Sequence, residues 1–148
     1  MEGESMGIEV YGCRIAGRLA VISVDLSLRP VAPDPRRPVL LYVSLDLRAP
    51  DEEGLVQPAE AEILAELQAA LDTVLVEALG ARWVGTITTA GRQEIYFYGP
   101  SAEGFDAVAG TVLDVVEGLA SVLGFHADPE WSHYLHLLCP SEEQPQAK

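Results

Sequence analysis

Residues 81–98 read ARWVGTITTAGRQEIYFY and form a β-hairpin pattern with a helical pattern on either side. Val84, Thr86, Ile87, Thr88, Ile95, Tyr96, Phe97 and Tyr98 are β-branched or aromatic, the residue types that pack well on a pleated surface. Between the two runs lies Thr89-Ala90-Gly91-Arg92, where Gly91 supplies the positive φ of a tight hairpin turn. With Ala90 and Gly91 as the turn, Thr89 faces Arg92, Ile87 faces Glu94, Gly85 faces Tyr96 and Trp83 faces Tyr98. Side-chain alternation then puts Val84, Thr86, Ile95 and Phe97 on one face. Trp83, Gly85, Ile87, Glu94, Tyr96 and Tyr98 fall on the other. A longer turn shifts this register by one and exchanges the faces of one strand.

Upstream, Ile63, Leu64, Leu67, Leu71, Val74, Leu75, Ala78 and Leu79 recur at three- and four-residue intervals. Pro58 suits the first turn of this helix and Gly80 its end, while Glu60, Glu62, Glu66, Gln68, Asp72 and Glu77 lie mostly on the outer side. Downstream, Ser101 is the N-cap candidate of a second helix. Its apolar stripe is Phe105, Val108, Val112, Val115, Val116, Leu119, Val122 and Leu123, and Gly124 stops it.

Further out, residues 39–48 alternate without a break, Val39, Leu41, Val43, Leu45 and Leu47 against Leu40, Tyr42, Ser44, Asp46 and Arg48. Residues 18–28 alternate in the same way, Ile22, Val24, Leu26 and Leu28 against Val21, Ser23, Asp25 and Ser27. A first strand over residues 7–13 turns into it at Ala16-Gly17. Residues 29–38, RPVAPDPRRP, are a proline-rich surface connection. Near the end, Asp128 caps a single turn that begins at Pro129, and residues 134–138, YLHLL, read as a last strand.

The expected architecture is α+β. From Val39 onward the order β-α-β-β-α-β is the ferredoxin-like two-layer sandwich, widened by an N-terminal hairpin. Both helices are expected on one sheet face, over Ile22, Val24, Leu41, Val43, Leu45, Val84 and Phe97. The other face is expected to stay open and to carry Ser23, Asp25, Tyr42, Ser44, Asp46, Trp83, Glu94, Tyr96 and Tyr98.

The 148 residues suit one domain, residues 1–148, with disordered tails at 1–6 and 141–148. No apolar run approaches the ~20 residues that span a bilayer, and the acidic start MEGESMGIEV is unlike a secretory signal. Cys13 and Cys139 make no disulfide framework, so they read as reduced thiols of a cytoplasmic protein. With 23 acidic residues against 9 basic ones the net charge is −14, which repels nucleic-acid phosphates and anionic membranes. The expected partners are therefore a protein or a second copy of the chain, with no nucleic acid bound directly and no membrane.

The segment TTAGRQEIYFY at residues 88–98, together with the ending Asp128-Pro129-x-Trp131-x-x-Tyr134, resembles the domain-of-unknown-function family numbered 695. The resemblance covers roughly residues 18–140, and its specific parts are Gly91-Arg92, Tyr96-Phe97-Tyr98 and the Asp-Pro-x-Trp-x-x-Tyr ending. It brings no established chemistry. Some relatives carry beside this domain one similar to the ribonuclease E inhibitor B family.

Two kinds of site are then open. The first is a docking surface centred on Trp83, Tyr96 and Tyr98 with the acids Asp25, Asp46 and Glu94, since exposed aromatics are the usual composition of an interface centre. The second is a small-ligand or hydrolase-like pocket between that face and the tail, where Asp128, Trp131 and Tyr134 hold the ligand. The plainer alternative for the tail is a cap and two aromatic wedges that close the core. The three acids are the only hint of acid/base chemistry, and a solvated polar face is their plainer reading. His126, His133 and His136 cluster near Asp128 without the spacing of a zinc motif, so no metal and no cofactor are expected. The leading expectation is a small binding or regulatory module with no catalytic residue.

Overall fold

The computed structural model describes residues 7–116 and 118–140. The expected tails at 1–6 and 141–148 lie outside the described residues. The chain is α+β, with one six-stranded antiparallel sheet and two main helices. The strands are β1 (Ile8–Ile15), β2 (Arg18–Asp25), β3 (Val39–Asp46), β4 (Arg82–Thr89), β5 (Arg92–Gly99) and β6 (Ser121–Ala127). Their order across the sheet is β1-β2-β4-β5-β3-β6, every neighbouring pair antiparallel. The helices are α1 (Pro58–Leu79) and α2 (Phe105–Leu113).

Both tight turns are two-residue turns with positive φ at each position, Ala16 at 53° with Gly17 at 82°, and Ala90 at 55° with Gly91 at 80°. They set the pairing of β1 with β2 and of β4 with β5. Helix α1 starts at Pro58 and ends at Gly80, whose left-handed φ of 69° lets its N–H bond back to the Leu75 and Val76 carbonyls. Glu60 departs from the outer face expected for it. It is buried, and its carboxylate accepts the backbone N–H groups of Arg48 (2.8 Å) and Ala49 (3.1 Å), pinning the preceding loop to the first turn.

Both helices lie on one side of the sheet and share a core with it. Leu64, Leu67, Leu71 and Leu75 of α1 and Phe105, Ala109 and Leu113 of α2 pack on Leu41, Val43, Leu45, Ile95 and Phe97. A second core occupies the opposite face. There Ile22, Val24, Leu40, Val84, Ile87, Tyr96 and Tyr98 meet Trp131, Tyr134, Leu138 and Cys139 of the C-terminal segment. The face expected to be open is covered, and a helix-side position for Ile22, Val24 and Val84 is corrected.

Three local causes produce these departures. A β-bulge between Trp83 and Gly85 sets Trp83 opposite Phe97 and Arg82 opposite Tyr98, which exchanges Trp83 and Val84 between the two faces. Strand β2 pairs Ile22 with Ile87, so its apolar side follows Ile87 onto the reverse face. Leu26 and Leu28 leave the strand because the Asp25 carboxylate accepts the Ser27 N–H (3.0 Å) and opens a short 3₁₀ helix, Leu26–Val31.

The second helix is shorter than its apolar stripe. It starts after Gly104, not at a Ser101 cap, and stops at Leu113, while Ser121–Ala127 goes extended beside β3. Val112, Val115 and Val116 at the end of the stripe have low helix propensity, and the free edge of β3 offers the following segment a ladder that an isolated helical turn does not. Gly124 is thereby no helix stop. A Cβ there would lie 2.2 Å from the Tyr42 ring, which crosses the strand at this bare position. With that edge taken, residues 134–138 are not a strand but a π-helical turn, Tyr134–Leu138, in which the Cys139 N–H donates to the Tyr134 carbonyl (2.9 Å).

Gly85 is where the strand and the C-terminal segment approach most closely. An added Cβ would sit 2.9 Å from the Ser23 carbonyl oxygen and 3.0 Å from Leu138 Cδ1. Gly85→Ala is expected to destabilise the fold by about 1–3 kcal/mol through overpacking. The urea midpoint measures it, and an unchanged midpoint refutes this packing.

Candidate functional site

The C-terminal segment is held on the reverse face by a set of rings and one carboxylate. Trp131 stacks on Tyr98 with centroids 4.3 Å apart and planes within 8°, and meets Tyr134 edge-on at 5.6 Å. The Trp131 indole N–H donates to the Arg37 carbonyl (2.9 Å), Tyr134 OH to the Asp25 carbonyl (2.6 Å) and Tyr11 OH to the Leu138 carbonyl (2.7 Å). Arg37 is itself fixed, since its guanidinium pairs with Asp34 (2.6 Å) and donates to the Gly80 carbonyl (2.8 Å). The proline-rich connection thus bolts the tail to the end of α1.

Asp128 organises the turn. Its carboxylate accepts Tyr98 OH (2.6 Å) and the backbone N–H groups of Ser132 (2.9 Å) and His133 (3.0 Å). Burial pushes this carboxyl up, but the three donors outweigh it and hold it below the ordinary carboxylate range. Next to it the His133 ring packs on Tyr96 at 4.3 Å. Burial drives His133 down from its ordinary value, with Asp128 and Glu94 pulling the other way, and its Nε2 is buried with no hydrogen-bond partner among the described residues.

Beyond the tail the reverse face ends in a polar strip. Tyr96 OH donates to Glu94, the Ser44 hydroxyl donates to the other oxygen of Glu94 (3.4 Å), and the Arg92 guanidinium donates to Ser44. These bonds satisfy one another, which fits a structural strip more than a reactive one.

Open space is found on the helix side. Two helices about 10 Å wide cover roughly four strands spaced ~4.8 Å apart. The β1–β2 end of the sheet is therefore left uncovered, and Ile8 and Val10 of the edge strand are 48% and 63% exposed. Between that hairpin and the flank of α1 runs a cavity of about 410 Å³, lined by Ile8, Ser23, Ala65, Gln68, Ala69, Asp72 and Trp83. It continues into a second of about 340 Å³ that shares Asp72 and Trp83 and adds Asp25, Arg37 and Arg82. Trp83 is held in place here: its indole N–H donates to Thr86 Oγ1 (3.0 Å), which donates to Gln68 Oε1 (3.0 Å).

Against known proteins, the sequence model described as a family of unknown function (DUF695) matches residues 9–139. The chain belongs to the DUF695 family. No curated protein and no solved structure matches it. Within this DUF695 domain the described residues include no group of three or more His, Cys, Asp or Glu side chains able to hold a metal ion. Among them no helix is long and apolar enough to cross a membrane.

The residues singled out from the DUF695 sequence separate into three places. Tyr96, Tyr98, Trp131, Tyr134 and Asp128 are buried together in the second core. They do not form a docking surface, and among the described residues Trp131 of the tail stacks directly on Tyr98 of the face. Asp46 and Glu94 stay on the reverse face, Asp46 opposite Arg92 at the end of β3. Asp25 lies on the other side, in the helix-side groove with Trp83, so the three acids do not converge. Sequence reasoning missed Ile8, Gln68 and Asp72 as groove residues. The available signal was a width mismatch, six strands under two helices.

Proposed function

We propose that this chain is a small cytosolic binding module that docks a basic segment of a partner protein in the groove between α1 and the β1–β2 hairpin. The observation that carries this reading is the uncovered helix-side end of the sheet, where exposed Ile8 lines the cavity containing Trp83 and Asp72 and Val10 is exposed on the same strand. Apolar residues around an aromatic floor are the composition of an interface centre. The net charge of −14 favours a cationic occupant and speeds its encounter. Two free cysteines accord with a reducing compartment.

The same reading treats β3–α1–β4–β5–α2–β6 as a ferredoxin-like unit. Its support is the order β4-β5-β3-β6 within the sheet, with α1 and α2 as the two crossovers and the N-terminal hairpin added beside β4.

The test is a selection of displayed random peptides against the full chain, counter-screened on the double variant Ile8→Ser/Val10→Ser. Basic peptides are expected to be enriched and to lose at least about tenfold in affinity on the variant, the loss of roughly 1.4 kcal/mol of apolar contact. Peptides that bind both proteins equally overturn the surface. A dimer in sedimentation velocity that the double variant dissociates makes a second copy the occupant and overturns the basic partner.

A further inference from the structure

We propose that the cavity shared by Trp83 and Asp72 is a specificity site for one cationic side chain with an apolar stem, an arginine presented by the docked partner. This inference rests on the docking reading above and adds the chemistry that the groove selects.

The argument starts from what each lining residue has left to offer. The polar edge of the Trp83 indole is already satisfied through Thr86 and Gln68, so its remaining contribution to the cavity is the ring itself. Asp72 forms no hydrogen bond or ion pair among the described residues. Its carboxyl is pushed above the ordinary range by burial, with Arg82 offsetting part of the effect. A partly desolvated carboxylate whose charge is only partly offset by Arg82 gains further from a cation brought to it. Ile8, Ala65 and Ala69 supply apolar wall for a methylene stem, while the basic residues Arg37 and Arg82 line the adjoining cavity and not this one.

Aromatic ring, carboxylate and apolar wall together select organic cations. A guanidinium suits the set better than an ammonium. It is planar, stacks on an indole, sheds water more readily and pairs with a carboxylate through two parallel N–H bonds. The cavity volume of about 410 Å³ lies within the ordinary range for small sites, ~300–1,000 Å³, so an arginine side chain is accommodated.

The experiment is a ¹H–¹⁵N NMR titration of the full chain with N-acetyl-arginine amide. The uncharged, nearly isosteric N-acetyl-citrulline amide is the control, and N-acetyl-lysine amide a third probe. The chain has two tryptophans, hence two indole N–H signals, and Trp83→Phe identifies the one that reports on the cavity. The arginine probe is expected to shift the Trp83 signal saturably in the millimolar range. Binding should weaken at least about fivefold with citrulline and by a similar factor in Asp72→Asn. The Trp131 signal should stay in place throughout, showing that the fold is intact. A shift that never saturates, or equal shifts from citrulline or in Asp72→Asn, overturns the site. Peptides that depend on Ile8 and Val10 but bind Asp72→Asn unchanged also overturn it while the docking surface stands. Saturable arginine binding with peptides indifferent to Ile8 and Val10 overturns the docking surface and leaves the cation site.

Discussion

Trp131→Ala is expected to lower the free energy of unfolding by about 3–5 kcal/mol, among the largest losses a single core truncation produces. The indole is almost wholly buried, lies flat on Tyr98 and meets Tyr134 edge-on. Removing it opens a cavity at the centre of the second core and leaves the Arg37 carbonyl without its indole donor. Alanine does not relieve the backbone either, because position 131 sits at φ 55°, the left-handed region that disfavours any side chain. Against a typical total of about 5–15 kcal/mol the variant is close to unfolding, with a midpoint lowered by roughly 10–20 °C. Trp131→Phe keeps a stacked ring and loses only the indole hydrogen bond and part of the volume, so a smaller loss, about 1–2 kcal/mol, is expected. Urea and thermal unfolding followed by circular dichroism measure both. Loss of less than about 0.5 kcal/mol in Trp131→Ala would mean that the C-terminal segment is not part of the core.

The second large effect is at Asp128. Asp128→Ala removes the acceptor of three donors, two of them backbone N–H groups that start the C-terminal turn, and strands the Tyr98 hydroxyl beneath it. A loss of about 3 kcal/mol at neutral pH is expected, since bonds to a charged group and a buried hydroxyl left without an acceptor both contribute. The same group shapes the acid limb of stability. Its folded carboxyl titrates below the unfolded value of 3.8, so its contribution is full above that value and is lost as pH falls through the lower folded one. His133 acts in the same direction at higher pH. Burial depresses it below 6.5, the unfolded chain takes up the proton first, and stability declines as pH drops below 6.5.

The alkaline limb has the opposite sign. Burial raises Tyr96, Tyr98 and Tyr134 well above the ordinary 10.0, and Tyr11 to about 12, so only the unfolded chain ionises as pH passes 10.0 and stability falls from there. Burial also raises the Cys13 thiol above its ordinary 9.0, so a stability profile flat between about 6.5 and 9 and sloping on both sides is the expected outcome. In His133→Phe the slope between pH 5 and 6.5 should flatten. A slope that persists there unchanged would place its origin elsewhere.

Much of this fold was legible along the chain. Gly91 and Gly17 mark the two hairpin turns because a two-residue turn needs positive φ, and glycine supplies it without strain. Unbroken alternation over β3 and the three- and four-residue spacing of leucines in α1 are each readable without knowing what they pack against. The aromatic docking face was misplaced for a nonlocal reason. Alternation says which residues share a side, but not whether the chain returns to cover that side, and the tail that covers it arrives some thirty residues after Tyr98.

Residue type and spacing alone settled the turns, the long helix and the central strands, because each depends on neighbours within a few positions. Tertiary structure alone decided the bulge that turns Trp83 toward α1, the placing of Ser121–Ala127 as edge strand β6, and the closure of the reverse face by Trp131 and Tyr134. Those three outcomes turn on which strand edge and which apolar face is still unfilled when the segment packs, a quantity set by distant parts of the chain.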